Sequence, residues 1–267
     1  MKRNYKIFKI ILPILLILLL VVILYNIEKK NKISIVIPCI PRDIKYLDRL
    51  MESIKNQSYN PYEIILALSG TNSTLDINKL NDSLIEKFNL PIKFSYTKKM
   101  CNASTNRNRG GKLCSGDIIT FMDADDVMYP DKLLYINTYF NKYKPKLFLH
   151  SYSKGYDNFE SRKDFDIIFG KTIYDVSIRA QRLHKTTCLL LGEPPCSLLG
   201  DARRNGVTNG HPTIASEVFN NINFNENMKV AEDCFFIYEI LKFYGRKDDT
   251  AIFIDIPLTQ YLKHDKQ

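Results

Sequence analysis

The sequence predicts an α/β fold: a mainly parallel sheet flanked by helices and preceded by one N-terminal transmembrane helix. Three observations carry this. An uncharged apolar segment lies near the amino terminus, β-branched runs alternate with helix-period segments, and a group of aspartates directly follows an apolar strand.

The apolar segment runs from Ile10 to Ile27, has no charged residue and is interrupted by Pro13. Eighteen helical residues span about 27 Å, just enough to cross a hydrocarbon core. A cleaved signal peptide would have a shorter apolar stretch, about 7 to 15 residues, ending in small residues. Leu24-Tyr25-Asn26-Ile27 offers no such site. Residues 1–32 are therefore read as tail, anchor and basic stalk, and residues 33–267 as one folded domain. Lys2, Arg3, Lys6 and Lys9 precede the segment, whereas Lys29, Lys30 and Lys32 follow it with Glu28. The positive-inside rule then predicts a cytosolic amino terminus and a lumenal domain, of Golgi or ER type, with a cytosolic domain as the alternative.

The net charge of +9 invites a nucleic-acid reading, but +6 of it lies in residues 1–32. The basic excess thus flanks a membrane segment, and no nucleic-acid partner is expected. Six cysteines show no metal-binding spacing and decide nothing about disulfides. Sequons at Asn56, Asn72, Asn81 and Asn102 suit a lumenal domain, although an Asn-rich chain carries such triplets by chance.

Ile33-Ser-Ile-Val-Ile37, stopped by Pro38, reads as a buried first strand. Leu47, Leu50, Met51 and Ile54 then recur at helical spacing over 44–57. A second strand, Glu63 to Leu68, ends at the Ser69-Gly70 turn signal. A helix over 75–88, a strand from Ile92 to Tyr96, a helix over 104–114 and a strand from Asp117 to Met122 complete the alternating half. Such alternation implies parallel strands with crossover helices, whose ligands bind beyond the carboxyl ends of the strands. Beyond it the pattern weakens. Pro130 to Tyr143 reads as a helix, Lys146 to Tyr152 as a strand, and 231–244 as a last helix. Arg203, Arg204 and His211 fall in a Gly-rich polar stretch suited to an acceptor loop, although exposed loop basics are commonplace.

Asp123-Ala124-Asp125-Asp126 sits where the fold places a site. Three acids in four residues repel one another unless a cation or hydrogen bonds offset them. Hard oxygen ligands suit Mg²⁺ or Mn²⁺, which in turn bind nucleotide diphosphates. The bland alternative is that Asp125 or Asp126 caps the next helix, which explains one aspartate and not three.

The surrounding residues sharpen this. Asn106-Arg107-Asn108-Arg109-Gly110, then Ser115-Gly116-Asp117 and the strand ending in Asp123-Ala-Asp-Asp126, resemble inverting glycosyltransferase family 2, of the Rossmann-like GT-A fold. Val36-Ile37-Pro38, Glu63-Ile64-Ile65, Phe224-Asn-Glu226, Ala231-Glu232-Asp233 and Tyr261-x-x-His264 resemble further motifs of that family, in its order. The resemblance implies a nucleotide-sugar donor, a divalent metal, and a glycan, protein or lipid acceptor. It implies metal ligation by Asp123, Asp125 and His264, and donor-site roles for Pro38, Ser69, Arg107, Asn108, Asp123 and Glu232. Asp233 would be the general base that deprotonates the acceptor hydroxyl. Glu232 and Asp233 could equally be ordinary first-turn acids.

One departure stands out. Where many family members carry an aspartate that recognises uridine, this chain has Leu68-Ser69-Gly70-Thr71, so no uridine donor is inferred. Positions 40 and 41 are Ile-Pro where the family often has Tyr-Asn. The rival readings are a metal-dependent nucleotidyltransferase and a non-catalytic, membrane-anchored binding protein that retains the fold.

Overall fold

The computed structural model describes residues 30–70, 77–155, 211–228, 232–244 and 250–262. The expected anchor at 10–27, Arg203, Arg204 and His264 lie outside them. Among the described residues no helix is long and apolar enough to cross a membrane. The chain divides into two compact units, residues 1–30 and 31–267. The second carries every described strand and helix.

Strand β1 (Ile33–Cys39) is buried throughout, as its β-branched run requires of a strand covered on both faces. A 3₁₀ turn (Pro41–Tyr46) leads into α1 (Leu47–Lys55). β2 (Glu63–Ser69), α2 (Ile77–Phe88), β3 (Ile92–Thr97), α3 (Ala103–Gly111) and β4 (Ile118–Phe121) follow as anticipated, with helix ends trimmed by a few residues. β5 (Val127–Met128), α4 (Lys132–Tyr143), β6 (Leu147–Gly155), β7 (Thr213–Ala215), α5 (Ser216–Asn221), α6 (Glu232–Tyr244) and β8 (Ala251–Leu262) complete the described elements.

The strands form one sheet in the order β3-β2-β1-β4-β7-β6-β8-β5. β1 to β4 pair in parallel, as expected. The other half is mixed: β7 runs antiparallel to both β4 and β6, β5 antiparallel to β8, and β6 parallel to β8. The sheet is therefore less uniformly parallel than the alternation suggested, because β7 runs against both its neighbours and β5 runs against β8.

Alternation along β1 assigns its side chains to two cores. Ile33, Ile35 and Ile37 pack with Leu47, Leu50, Met51 and Ile54 of α1 on one face. Val36 packs with Phe219, Phe224, Phe236 and Ile240 on the other. On that second face α3 lies very close to the sheet. A Cβ on Gly110 would stand 2.5 Å from Val36 Cγ1, so only glycine permits this approach.

β1 pairs with β2 as far as Cys39↔Leu68, but with β4 only as far as Val36↔Phe121. Beyond those positions the chain ends of β1 and β4 part, and a crevice opens at the carboxyl edge of the sheet. The cap reading of the aspartates fails: the residue at the start of α4 is Asp131, and it makes no side-chain cap bond.

Candidate active site

A cavity of about 380 Å³ occupies this crevice. Pro38 at the end of β1, Arg107 on α3, Asp123 and Asp125 after β4, and Glu232 on α6 all line it. Residues far apart in the chain thus converge because α3 and α6 both approach the end of β4.

Arg107 is the centre of the arrangement. It is 3% exposed, and its Nη2 donates to Asp123 Oδ1 at 2.8 Å while Nη1 donates to Glu232 Oε1 at 2.8 Å. The guanidinium also lies 5.3 Å from the centre of the Phe224 ring. Burial works against its charge, but the fields of Asp123, Glu232 and Asp233 outweigh burial and hold it firmly protonated. Asp233, next to Glu232 at the start of α6, adds to that field but does not line the cavity.

Two predicted donor-site residues serve to hold the scaffold in this structure. Ser69 is fully buried, and its Oγ accepts from Asn106 Nδ2 at 2.9 Å and from the Cys101 amide at 3.2 Å. Asn108 donates to the Phe224 carbonyl and Glu226 Oε1 and accepts from the Phe224 amide, at 2.8–2.9 Å. It thereby ties α3 to the segment leading into α6. Neither side chain lines the cavity. Asn102, part of a sequon, caps α3: its Oδ1 accepts from the Thr105 amide and its Nδ2 donates to the Glu226 carbonyl.

The aspartates divide their tasks. Asp125 lines the cavity, and burial, then the fields of Asp123 and Asp126, push its carboxyl up to about 6. Asp126 turns inward instead. It is 1% exposed, and its Oδ1 accepts from the Leu262 amide at 3.0 Å. Its Oδ2 lies 3.0 Å from His211 Nε2. His211 is buried, contrary to its reading as an exposed loop basic, and its Nδ1 contacts Thr259 Oγ1 at 3.1 Å. These contacts fasten β8 under the acid cluster and place Tyr261 on the cavity wall.

Sequence reasoning missed a further cation. Lys132 at the start of α4 is fully buried, with Nζ 3.7 Å from Met122 Sδ. Burial pulls its pKa down to about 7 against the opposing fields of Asp126 and Asp123. A lysine in a first helical turn carries no sequence signal for burial.

The residues suit a divalent cation. Asp123, Asp126 and His211 each offer one ligand atom, all within 4.8 Å of one another. Asp126 Oδ2 is buried with His211 Nε2 beside it, at 3.0 Å, and Asp125 carries charge that its surroundings disfavour. The carboxylate donors match Mn²⁺ or Mg²⁺ chemistry, and an imidazole beside them favours Mn²⁺ over the harder Mg²⁺.

Residues 34–191 match the family described as glycosyl transferase family 2, and the chain belongs to that family. An uncharacterized glycosyltransferase from Rickettsia bellii is 34% identical over 113 residues, which cover 40% of this chain and 15% of that protein. Among solved structures, Staphylococcus aureus TarS 1-349 in complex with UDP-GlcNAc superposes with a TM-score of 0.61 at 16% identity, covering 88% of this chain and 60% of that one. The mannosyltransferase PcManGT from Pyrobaculum calidifontis, in complex with GDP-Man and Mn²⁺, gives 0.53 at 11% identity, covering 88% and 57%. At these identities the structures speak to fold alone, and they bear out the GT-A-like α/β architecture. The chain spans well under two thirds of the length of each relative.

Proposed function

We propose that the chain is a metal-dependent glycosyltransferase that moves a sugar from a nucleotide-sugar donor to an acceptor hydroxyl with inversion. The observation that carries this is the convergence of Asp123, Asp125, Arg107 and Glu232 on one cavity at the carboxyl edge of the parallel strands. The relatives support the donor class, since TarS was captured with UDP-GlcNAc and PcManGT with GDP-Man and Mn²⁺.

In this reading Asp123 and Asp125 would hold a divalent cation, with Asp126 and His211 offering further ligand atoms. His264 is retained as a candidate ligand. Once bound, a divalent cation neutralises charge developing on the departing diphosphate. Arg107 fixes the Asp123 carboxylate and keeps Glu232 from repelling it. Pro38 forms part of the wall beneath the donor. Asp233 accepts the proton of the attacking hydroxyl, and its place in the first turn of α6 favours the ionised form that can accept it. A base separate from the metal cluster is what sugar transfer to a hydroxyl needs, and it favours this reading over nucleotidyl transfer.

The acceptor is a glycan, protein or lipid hydroxyl, and the segment 10–27 anchors the chain to a membrane. The test is a panel of nucleotide sugars incubated with the full-length chain, with Mn²⁺ or with a chelator. Metal-dependent release of nucleoside diphosphate from one donor supports the reading. Silence across the panel from folded protein moves the weight to the non-catalytic alternative.

A further inference from the structure

The cavity wall carries more negative than positive charge. Asp43, Asp123, Asp125 and Glu232 line it, against Arg42 and Arg107 alone among the described residues. Arg107 is buried and already bridges two of those acids. A divalent cation brings the wall close to neutrality only with both arginines counted, and a nucleoside diphosphate adds negative charge of its own. Of the two lining arginines, the one that meets the phosphates must be able to leave its present partner.

Arg42 meets that requirement. Its side chain is 69% exposed, on the 3₁₀ turn that follows β1. It rests on its neighbour Asp43, Nε to Oδ1 at 2.8 Å and Nη2 to Oδ2 at 3.4 Å. The Asp43 side chain is only 13% exposed, but the Arg42 end of the pair faces solvent, where screening weakens it. After the hydrogen bond to Asp43, the field of Asp125 also supports the Arg42 charge, so the guanidinium stands within electrostatic reach of the acid cluster. A guanidinium fork matches phosphate oxygens as well as it matches a carboxylate.

Resting on the donor reading above, we infer that Arg42 binds the diphosphate of the nucleotide, leaving Asp43, which holds it at the cavity mouth until the ligand arrives. Asp43 is then a competitor for Arg42 and makes no contact with the ligand. This fixes opposite signs for two neighbouring substitutions.

The experiment is calorimetric titration of full-length protein with UDP and with GDP, each with Mn²⁺, and with the corresponding nucleosides. Arg42→Ala should weaken diphosphate binding at least tenfold, with partial recovery in Arg42→Lys. Asp43→Ala should bind the same diphosphate as tightly as the unmodified chain, or a few-fold more tightly. Nucleoside binding should not distinguish the variants. The inference is overturned if Arg42→Ala leaves the diphosphate affinity unchanged, if nucleoside binding falls in parallel, or if Asp43→Ala weakens binding as Arg42→Ala does. Those results would leave the donor reading standing. Failure of the folded, unmodified chain to bind either diphosphate would overturn both. Thermal melts of each variant separate loss of binding from loss of fold.

Discussion

Arg107, itself buried, pairs with the partly exposed Asp123, Nη2 to Oδ1 at 2.8 Å, between the helix beneath the cavity and the strand end that carries the acids. The other arm of the same guanidinium holds Glu232, so three elements meet at one side chain. Removing Arg107 leaves two partly exposed carboxylates uncompensated, at a cost below the figure for a fully buried pair, about 3–5 kcal/mol. Arg107→Ala is expected to lose stability within that limit in urea denaturation. A midpoint unchanged from the unmodified chain would show that the bridge does not hold the site together.

Asp125 is expected to trade stability for function. Its folded pKa, about 6, lies above the ordinary 3.8, so the stability it contributes is present below pH 3.8 and lost as pH rises through 6. At pH 7.5 without metal, Asp125→Asn should therefore be more stable, on the order of 1–3 kcal/mol. Mn²⁺ should raise the melting temperature of the unmodified chain and leave that of the variant largely unmoved. An equal response to Mn²⁺ would remove Asp125 from the metal site.

Glu63 predicts the opposite pH trend. It is buried under the turn before β4, and burial alone would raise its pKa. Hydrogen bonds from Lys93, the Ser115 amide, Ser34 and the Ser115 hydroxyl outweigh that effect and bring it to about 2. The stability it contributes is present above pH 4.5 and lost as pH falls through 2. Melting curves between pH 5 and pH 2 should show this loss, and Glu63→Gln should flatten it. Parallel curves for the two proteins would contradict the assignment.

Asp233→Asn should lower kcat by about 10² to 10⁴ while leaving nucleoside diphosphate affinity unchanged, because a general base acts only in the chemical step. Comparable loss of donor affinity would mark Asp233 as part of the binding site instead.

Much of this was legible because β1, β2 and β4 are short, largely apolar runs buried on both faces, and because the acid motif follows β4 immediately. The second half gave less. β7 is three residues long and β5 two, too short to show a period. β8 contains Pro257 and pairs with β6 through register shifts around Ser151, so its sequence does not read as a regular strand. His211 and Lys132 were hidden for a different reason. The contact of His211 with Asp126 comes from long-range packing against β8, and the burial of Lys132 from the packing of α4 on the sheet, neither of which local sequence records. The same applies to Ser69 and Asn108: their motif positions were readable, but the partners that draw them away from the cavity were not.

The most direct test compares the full-length chain with Asp125→Ala in metal-dependent release of nucleoside diphosphate from its nucleotide-sugar donor. The account predicts release that requires Mn²⁺ or Mg²⁺ in the unmodified chain and is abolished in a folded Asp125→Ala protein. Release that survives the substitution, or that proceeds equally in a chelator, would contradict it.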